Sequence, residues 1–307
     1  MTGRFPRNIA ASVHQRLLDK ARETGRPFNE LLQYFAMERF LYRLYKSPYA
    51  DNFVLKGALM LTVWEAPLTR PTLDIDLLGR IDNRVETIVR VTREICHQEV
   101  DPDGLVFDAA TIKAERIAED ADYEGIRVRF RGSLGTARIV MQLDIGFGDV
   151  VIPSPEPTKY PTLLNLPAPH VRGYSRESTV AEKFEAMVKL GILNSRMKDF
   201  FDLWLMSRQF DFNGATLAEA ISKTFSTRGT SIPAEPVALT DAFGEDRAKA
   251  AQWRGFVRKS RLTDVPKNLT EVATAIATFL GPIASNLSEG RPFRATWKAP
   301  GPWHALH

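Results

Sequence analysis

The chain has 307 residues, of which 44% are hydrophobic and 25% charged, and its net charge is +4. This is the composition of a globular protein with room for one large or two modest domains. The single cysteine, Cys96, excludes an internal disulfide and fits a reducing compartment. No signal peptide and no apolar run long enough to cross a membrane is found, so we expect a cytoplasmic protein without a membrane partner.

The N-terminal region predicts two amphipathic helices, at residues 8–24 and 27–46, because apolar residues recur there at helical spacing. Basic residues outnumber acidic ones in this region. The pattern is typical either of a solvated helical surface or of a surface that faces nucleic acid. The basic residues are Arg4, Arg7, Arg16, Lys20, Arg22, Arg26, Arg39, Arg43 and Lys46.

The middle of the chain predicts strands and helices in mixed order. A short strand at 52–55, a turn at Lys56-Gly57 and a helix at 58–65 come first. A strand at 73–79, a helix at 83–97 and three antiparallel strands at 105–118, 123–132 and 136–147 follow.

The last third of the chain predicts helices. A proline-rich segment at 152–169 indicates a linker between lobes. Helical periodicity then covers 176–192, 197–209, 214–226, 245–258 and 268–286, and residues 287–307 predict an extended tail.

The segment "RPTLDIDLLG" places Asp74 and Asp76 one residue apart. In a strand both carboxylates share a face, about 7 Å apart, while Leu73, Ile75 and Leu77 fill the opposite face. Two desolvated negative charges repel each other, so a metal ion, a cluster of basic side chains or solvent should lie between them.

A third acid, Asp144, lies between apolar residues in the predicted strand at 136–147. If this strand neighbours the 73–79 strand, Asp144 joins Asp74 and Asp76. Three converging carboxylates suit Mg²⁺, which prefers oxygen ligands together with substrate phosphates.

These segments resemble the AbiEii/AbiGii family of nucleotidyltransferase toxins over roughly residues 10–210. The most specific stretch is "YSRESTVAEKFEAMVKLGILNSRMKDFFDLWLM" at 174–206. The resemblance implies an α+β fold, in which a polymerase-β-like nucleotidyltransferase lobe with a mixed or antiparallel sheet is joined to a mostly helical C-terminal lobe. We place the N-terminal helices at 1–50, the nucleotidyltransferase core at 51–169, the helical lobe at 170–286 and the tail at 287–307.

The resemblance also implies site residues. Asp74, Asp76 and Asp144 would be metal ligands, with Asp144 a third ligand or a general base. The family's second essential pair corresponds to Lys183 and Asp199, and Asp202 would support Asp199 from outside the site. The substrate triphosphate would be held by Lys56, Gly57, Arg70, Thr72, Arg196 and Lys198. One departure is Ala58, since the family usually has serine or glycine after the turn glycine.

The implied function is Mg²⁺-dependent transfer of a nucleoside monophosphate from an NTP to an acceptor hydroxyl. The tRNA 3′ end is the expected acceptor, and a cognate antitoxin encoded nearby is the expected protein partner. Two alternatives stay open. The acceptor could be a small molecule or a protein, or the chain could be a catalytically silent binding module with the same fold.

Overall fold

The computed structural model describes residues 8–66, 70–120 and 123–305, and for residues 118–120 and 123–124 it describes the backbone only. The chain divides into two compact units. Unit 1 contains the described residues up to Glu65, together with Pro71–Gly148 and Glu156–Gly173. Unit 2 contains Ala66, Arg70, Asp149–Pro155 and the described residues from Tyr174 onward.

Unit 1 is a mixed sheet with helices. The helices are α1 (Ile9–Thr24), α2 (Phe28–Lys46), α3 (Leu59–Val63) and α4 (Val85–His97). The strands are β1 (Phe53–Lys56), β2 (Ile75–Gly79), β3 (Leu105–Asp120), β4 (Tyr123–Leu134), β5 (Ala137–Phe147), β6 (Glu156–Lys159) and β7 (His170–Gly173). Their order in the sheet is β3-β4-β5-β2-β1-β7-β6. The β2–β5 and β1–β7 pairs are parallel and the others are antiparallel.

The sheet of unit 1 has one covered face and one face that is open over β3, β4 and β5. Helix α2 packs on β5 and α4 on β3. The residues of β5 that point toward these helices are buried: Ile139, Met141, Leu143 and Ile145. The residues between them point the other way, and Val140 among them is 64% exposed. We call this second side of β3, β4 and β5 the open face.

Unit 2 is mostly helical. Its helices are α5 (Arg176–Leu190), α6 (Met197–Gln209), α7 (Gly214–Thr227), α8 (Asp241–Glu245), α9 (Arg247–Ser260) and α10 (Leu269–Ser288). A small sheet pairs β8 (Phe212–Asn213), β9 (Ala295–Trp297) and β10 (Trp303–Ala305). The chain after α10 therefore docks, and the rings of Trp297 and Trp303 pack on Phe279 of α10.

The α+β fold class is confirmed, and the elements that the sequence predicts have observed bounds within a few residues of the predicted ones. The short strands β6 to β10 and helix α8 are not among the predicted elements. The domain boundaries at 50, 169 and 286 stay predictions. The linker assignment at 152–169 is wrong in part, because residues 156–159 form edge strand β6 in register with β7. The backbone of the following loop is held by α2, where Leu163 N donates to Glu38 (2.7 Å) and Arg39 donates to Pro167 O (2.7 Å).

Two of the basic residues predicted to form a helical surface are buried instead. Arg39 and Arg43 of α2 are 1% and 6% exposed. Arg39 pairs with Glu38, whose pKa is raised to about 7 by burial despite the neighbouring guanidinium. Arg43 donates two hydrogen bonds to Asp103, of 2.7 and 3.0 Å. These cations hold loops of unit 1 in place and do not face solvent.

The Arg43–Asp103 pair generates a stability prediction. Asp103→Ala would leave a buried guanidinium unpaired, which should lower the free energy of unfolding by about 3–5 kcal/mol. Urea denaturation measures this change. The matched control is Asp101→Ala in the same loop, where the side chain is exposed and the expected change is within about 0.5 kcal/mol. Equal effects of the two substitutions would contradict a stabilising role for the pair.

Candidate functional site

An acidic triad, Asp74, Asp76 and Asp144, lies at the centre of the sheet in unit 1. Each residue offers a carboxylate oxygen, and these oxygens lie within 4.8 Å of one another. Asp144 is buried, and the other two side chains are partly exposed. The structure thus brings Asp144 together with Asp74 and Asp76, which lie on a separate segment of the sequence.

Strand register explains the convergence. Asp76 of β2 lies opposite Asp144 of β5, and residues directly opposite in a sheet point to the same face. On the outer sides of these two strands, Lys56 of β1 lies opposite Asp76 and Arg127 of β4 lies opposite Asp144. One row across four strands therefore reads cation, carboxylate, carboxylate, cation.

Arg127 holds the carboxylate of Asp144. Its Nε donates to Oδ1 at 2.8 Å and its terminal nitrogen to Oδ2 at 2.7 Å, while Gln142 donates to Oδ2 at 3.3 Å. The hydrogen bond to Asp144 raises the pKa of Arg127 despite partial burial. A carboxylate has about four lone-pair positions. Asp144 therefore keeps about one position for a further ligand.

Asp74 is positioned from the loop before β2. Thr72 Oγ1 donates to Asp74 Oδ1, and Thr72 N donates to the Tyr34 hydroxyl of α2 at 3.2 Å. The observed strand β2 is shorter than the predicted strand at 73–79, because it begins at Ile75. As a result Leu73 is 67% exposed, whereas Ile75 and Leu77 within the strand are buried.

Gly57 makes room for Asp76. Its φ is +71°, a conformation that favours glycine, and a Cβ at this position would lie 1.9 Å from Asp76 Oδ2. Lys56 belongs to β1, and the turn begins at Gly57. The predicted turn glycine is therefore in contact with the triad, and any other residue there would displace a carboxylate.

The triad fits a divalent cation. Its donors are all carboxylate oxygens, which hard cations prefer. These oxygens lie within 4.8 Å of one another, which is close to the roughly 4.2 Å between two ligand atoms on opposite sides of Mg²⁺. Arg127 offsets one of the three negative charges. A divalent ion could therefore bind with Asp74, Asp76 and Asp144 as ligands.

A second cluster of charges lies in unit 2, on α5, α6 and the described residue Arg70. Lys183 contacts Asp199 at 2.9 Å and Asp202 at 2.7 Å. Arg70 binds both oxygens of Asp202, at 2.9 and 3.0 Å, and Arg196 contacts Asp199 at 3.0 Å. Cations and acids alternate along this cluster, and the cations exceed the acids by one.

Mutual pairing keeps this buried cluster ionised. Burial alone would raise the pKa of Asp202, but Arg70 and Lys183 lower it to about 2. Burial likewise opposes ionisation of Asp199 and Lys183, yet the pKa of Asp199 is lowered and that of Lys183 is raised by their charged partners. Asp202, expected outside the site, contacts both Arg70 and Lys183 directly. Lys198 is exposed beside them.

The comparisons with known proteins bear on these residues. A family model described as the nucleotidyl transferase AbiEii toxin of type IV toxin–antitoxin systems matches residues 39–277. The chain belongs to the AbiEii family. The match includes the acidic triad and the second cluster. No curated protein matches the chain.

Two crystal structures from Helicobacter pylori resemble the AbiEii chain in fold. One, provisionally assigned as a nucleotidyltransferase, is 18% identical with a TM-score of 0.42, and the match covers 85% of this chain and 95% of that one. The other, JHP933, is 16% identical with a TM-score of 0.41, and the match covers 85% and 92%.

Sequence reasoning missed Arg127, which binds the triad directly. A signal was present in "IRVRFRG", where arginine recurs at every second position from 127 to 131. This alternation indicates a strand with one polar face. The partner of each arginine depends on the register between β4 and β5, which cannot be predicted from the sequence alone.

The role of Gly57 generates a prediction with a matched control in the same unit. Gly57→Ala should cost about 1 kcal/mol of stability through its positive φ and should also displace Asp76, weakening metal binding. Gly25 has φ +68°, and a Cβ added there would meet nothing within 4 Å, so Gly25→Ala should cost a similar amount without affecting metal. The readout is the rise in melting temperature when Mg²⁺ or Mn²⁺ is added. The same rise in both variants would contradict this role.

The low pKa of Asp202 predicts acid sensitivity. The pKa of Asp202 in the folded protein is about 2, below the ordinary 3.8. The contacts of its carboxylate with Arg70 and Lys183 therefore stabilise the fold above pH 4. About 2 kcal/mol should be lost as the pH falls from about 4 to about 2. Chemical denaturation at several pH values measures how steeply the free energy of unfolding changes with pH. Asp202→Asn should flatten this slope, while Asp264→Asn at an exposed position should not, and an unchanged slope in Asp202→Asn would refute the assignment.

Proposed function

We propose that the protein transfers a nucleoside monophosphate from an NTP to an acceptor hydroxyl, with Mg²⁺ held by Asp74, Asp76 and Asp144. The observation that carries the proposal is the convergence of these carboxylates within 4.8 Å, from β5, β2 and the loop before β2, in an AbiEii-family protein. Their repulsion costs stability unless a cation offsets it. A site kept at such a cost is best explained by a cation that the reaction needs.

The roles of the triad follow from its contacts. A bound Mg²⁺ would stabilise the negative charge that develops on the transferring phosphoryl group. Asp74 and Asp76 are the more exposed acids and face incoming ligands. Asp144 is fixed in orientation by Arg127, and its remaining lone-pair position serves as a third ligand or receives the acceptor's proton.

The substrate phosphates need positive charge. In unit 1, Lys56 and the Gly57 backbone flank Asp76, and Thr72 supplies a hydroxyl beside Asp74. In unit 2, the cluster of Arg70, Lys183, Arg196, Asp199 and Asp202 carries one excess cation, with the Arg196 side chain 35% exposed. We assign phosphate binding to Lys56, Gly57 and Thr72 in unit 1. As a separate assignment within unit 2, we propose anion binding by Arg70, Lys183, Arg196 and the exposed Lys198. Asp199 orients Lys183.

The acceptor we propose is the 3′ end of tRNA, whose modification would block translation. The type IV toxin–antitoxin family supports a toxin function, an NTP substrate and a cognate antitoxin as partner. Within residues 8–66, 70–120 and 123–305, no helix has the length and apolarity needed to cross a membrane. A cytoplasmic location is part of the proposal.

A label-transfer assay tests the proposal. Purified protein is mixed with Mg²⁺, total tRNA and one α-labelled NTP at a time. We expect label on tRNA with a preferred nucleotide, and background levels in Asp74→Ala or after chelation of the metal. Label on a small molecule or a protein instead would change the acceptor class. No label on any fraction would contradict nucleotidyl transfer and favour a silent binding module.

Asp76→Asn separates loss of metal binding from loss of fold. Removing one of three like charges should leave the metal-free protein as stable as the wild type or more so. The variant should nevertheless lose the Mg²⁺-dependent rise in melting temperature and the transfer activity. Destabilisation of the metal-free variant would indicate that Asp76 serves the fold.

A further inference from the structure

The open face of unit 1 carries a row of basic side chains that begins at the triad. On β4, Arg127, Arg129 and Arg131 alternate with buried Val128 and Phe130 and therefore share this face. Arg138 of β5 lies opposite Ser133 on the same face. Lys113 of β3, opposite Arg129, adds a fifth cation.

These cations exceed the acids beside them. Apart from the triad, the acids of the open face whose side chains are described are Asp108 and Glu115. Glu115 binds Arg129 at 2.9 Å. Asp108 lies opposite Arg131, but its carboxylate accepts from Ala110 N at 3.1 Å. Among the described side chains, no carboxylate forms an ion pair with Lys113, Arg131 or Arg138, and all three residues are exposed.

The fold does not account for this arrangement. Like charges directly opposite on paired strands, such as Lys113 and Arg129, are destabilising. Exposed arginines also contribute nothing to a core, in contrast to Arg39 and Arg43 on the covered side. An external anion that neutralises the row would remove this repulsion.

The row has the dimensions of a polymer-binding surface. Arg127, Arg129 and Arg131 recur about every 7 Å, because successive residues in a strand advance by about 3.3 Å. Arg138 is six residues from Asp144 along β5, so the row extends about 20 Å from the triad. A single nucleotide is too short to contact the whole row of cations. A nucleic-acid strand, which carries a phosphate at each nucleotide, can follow the row along its length.

We propose that the open face binds the phosphate backbone of the RNA acceptor and leads its 3′ end to the acidic triad. This inference rests on the proposed function, which assigns the triad a role in nucleotidyl transfer. Its independent basis is the charge, exposure and spacing of Arg129, Arg131, Arg138 and Lys113. Arginine suits the purpose because its guanidinium donates to phosphate oxygens in a fixed geometry. Val140, 64% exposed and opposite Arg131, offers an apolar contact for a base.

The test removes two cations that make no ion pair with the described acids. Arg131→Gln combined with Arg138→Gln should weaken tRNA binding to metal-free protein roughly tenfold and reduce the slope of log K against log salt by about 1.4. NTP binding in the presence of Mg²⁺ should be unchanged. The matched control, Arg80→Gln with Arg93→Gln, removes the same charge at exposed positions of unit 1 outside the open face and should leave the salt slope as in the wild type.

The outcomes separate this inference from the proposed function. Wild-type RNA affinity and salt slope in the Arg131/Arg138 variant would overturn the inference, even if label transfer to tRNA is observed. Equal losses in the variant and the control would also overturn it, because the effect would then reflect net charge alone. RNA binding that depends on Arg131 and Arg138 without any label transfer would support the surface and contradict the transferase. A wild-type protein that does not bind RNA would overturn the surface.

Discussion

Electrostatic repulsion among Asp74, Asp76 and Asp144 is the constraint on which unit 1 depends. The parallel pairing of β2 with β5 forces two of these acids into opposite positions, and Thr72 fixes the third beside them. Cations at the outer positions of the same row, Arg127 and Lys56, limit the cost. In this sheet order, each acidic strand has on its outer side a strand with a basic residue at the opposite position.

Unit 2 also contains a cluster of charged side chains, but there the cations outnumber the acids. Asp199 and Asp202 are almost fully buried, which is tolerable only because each contacts two cations. Replacing either acid removes one partner of Lys183, so the effects of substitutions within the cluster should be coupled and not additive. The excess charge is positive here and negative at the triad. The two clusters therefore differ in the sign of their net charge, although each is stabilised by contacts between acids and cations.

The sequence predicted what depends on local pattern. The Asp74/Asp76 pair, the turn glycine and the helices α5, α6, α7, α9 and α10 follow from spacing within short segments. The five-residue helix α8 is not predicted by its sequence pattern. Arg127 could not be assigned, because its partner Asp144 is set by a β-hairpin register 17 residues away. The exposure of Leu73 and the burial of Arg39 and Arg43 depend on where β2 begins and on how α2 packs. Those properties belong to the tertiary structure.

The basic residues of unit 1 show that a count of charges in the sequence does not locate a basic surface unless burial is known. Residues 1–50 are rich in arginine, yet Arg39 and Arg43 are used inside unit 1. Arg129 and Arg131 of β4 are exposed, because an antiparallel strand set needs only one covered face. A helix such as α2, buried on nearly every side, has little surface for a partner. The strands next to the triad keep a polar face toward solvent, and an acceptor that approaches Asp144 would meet Arg127, Arg129 and Arg131 in succession.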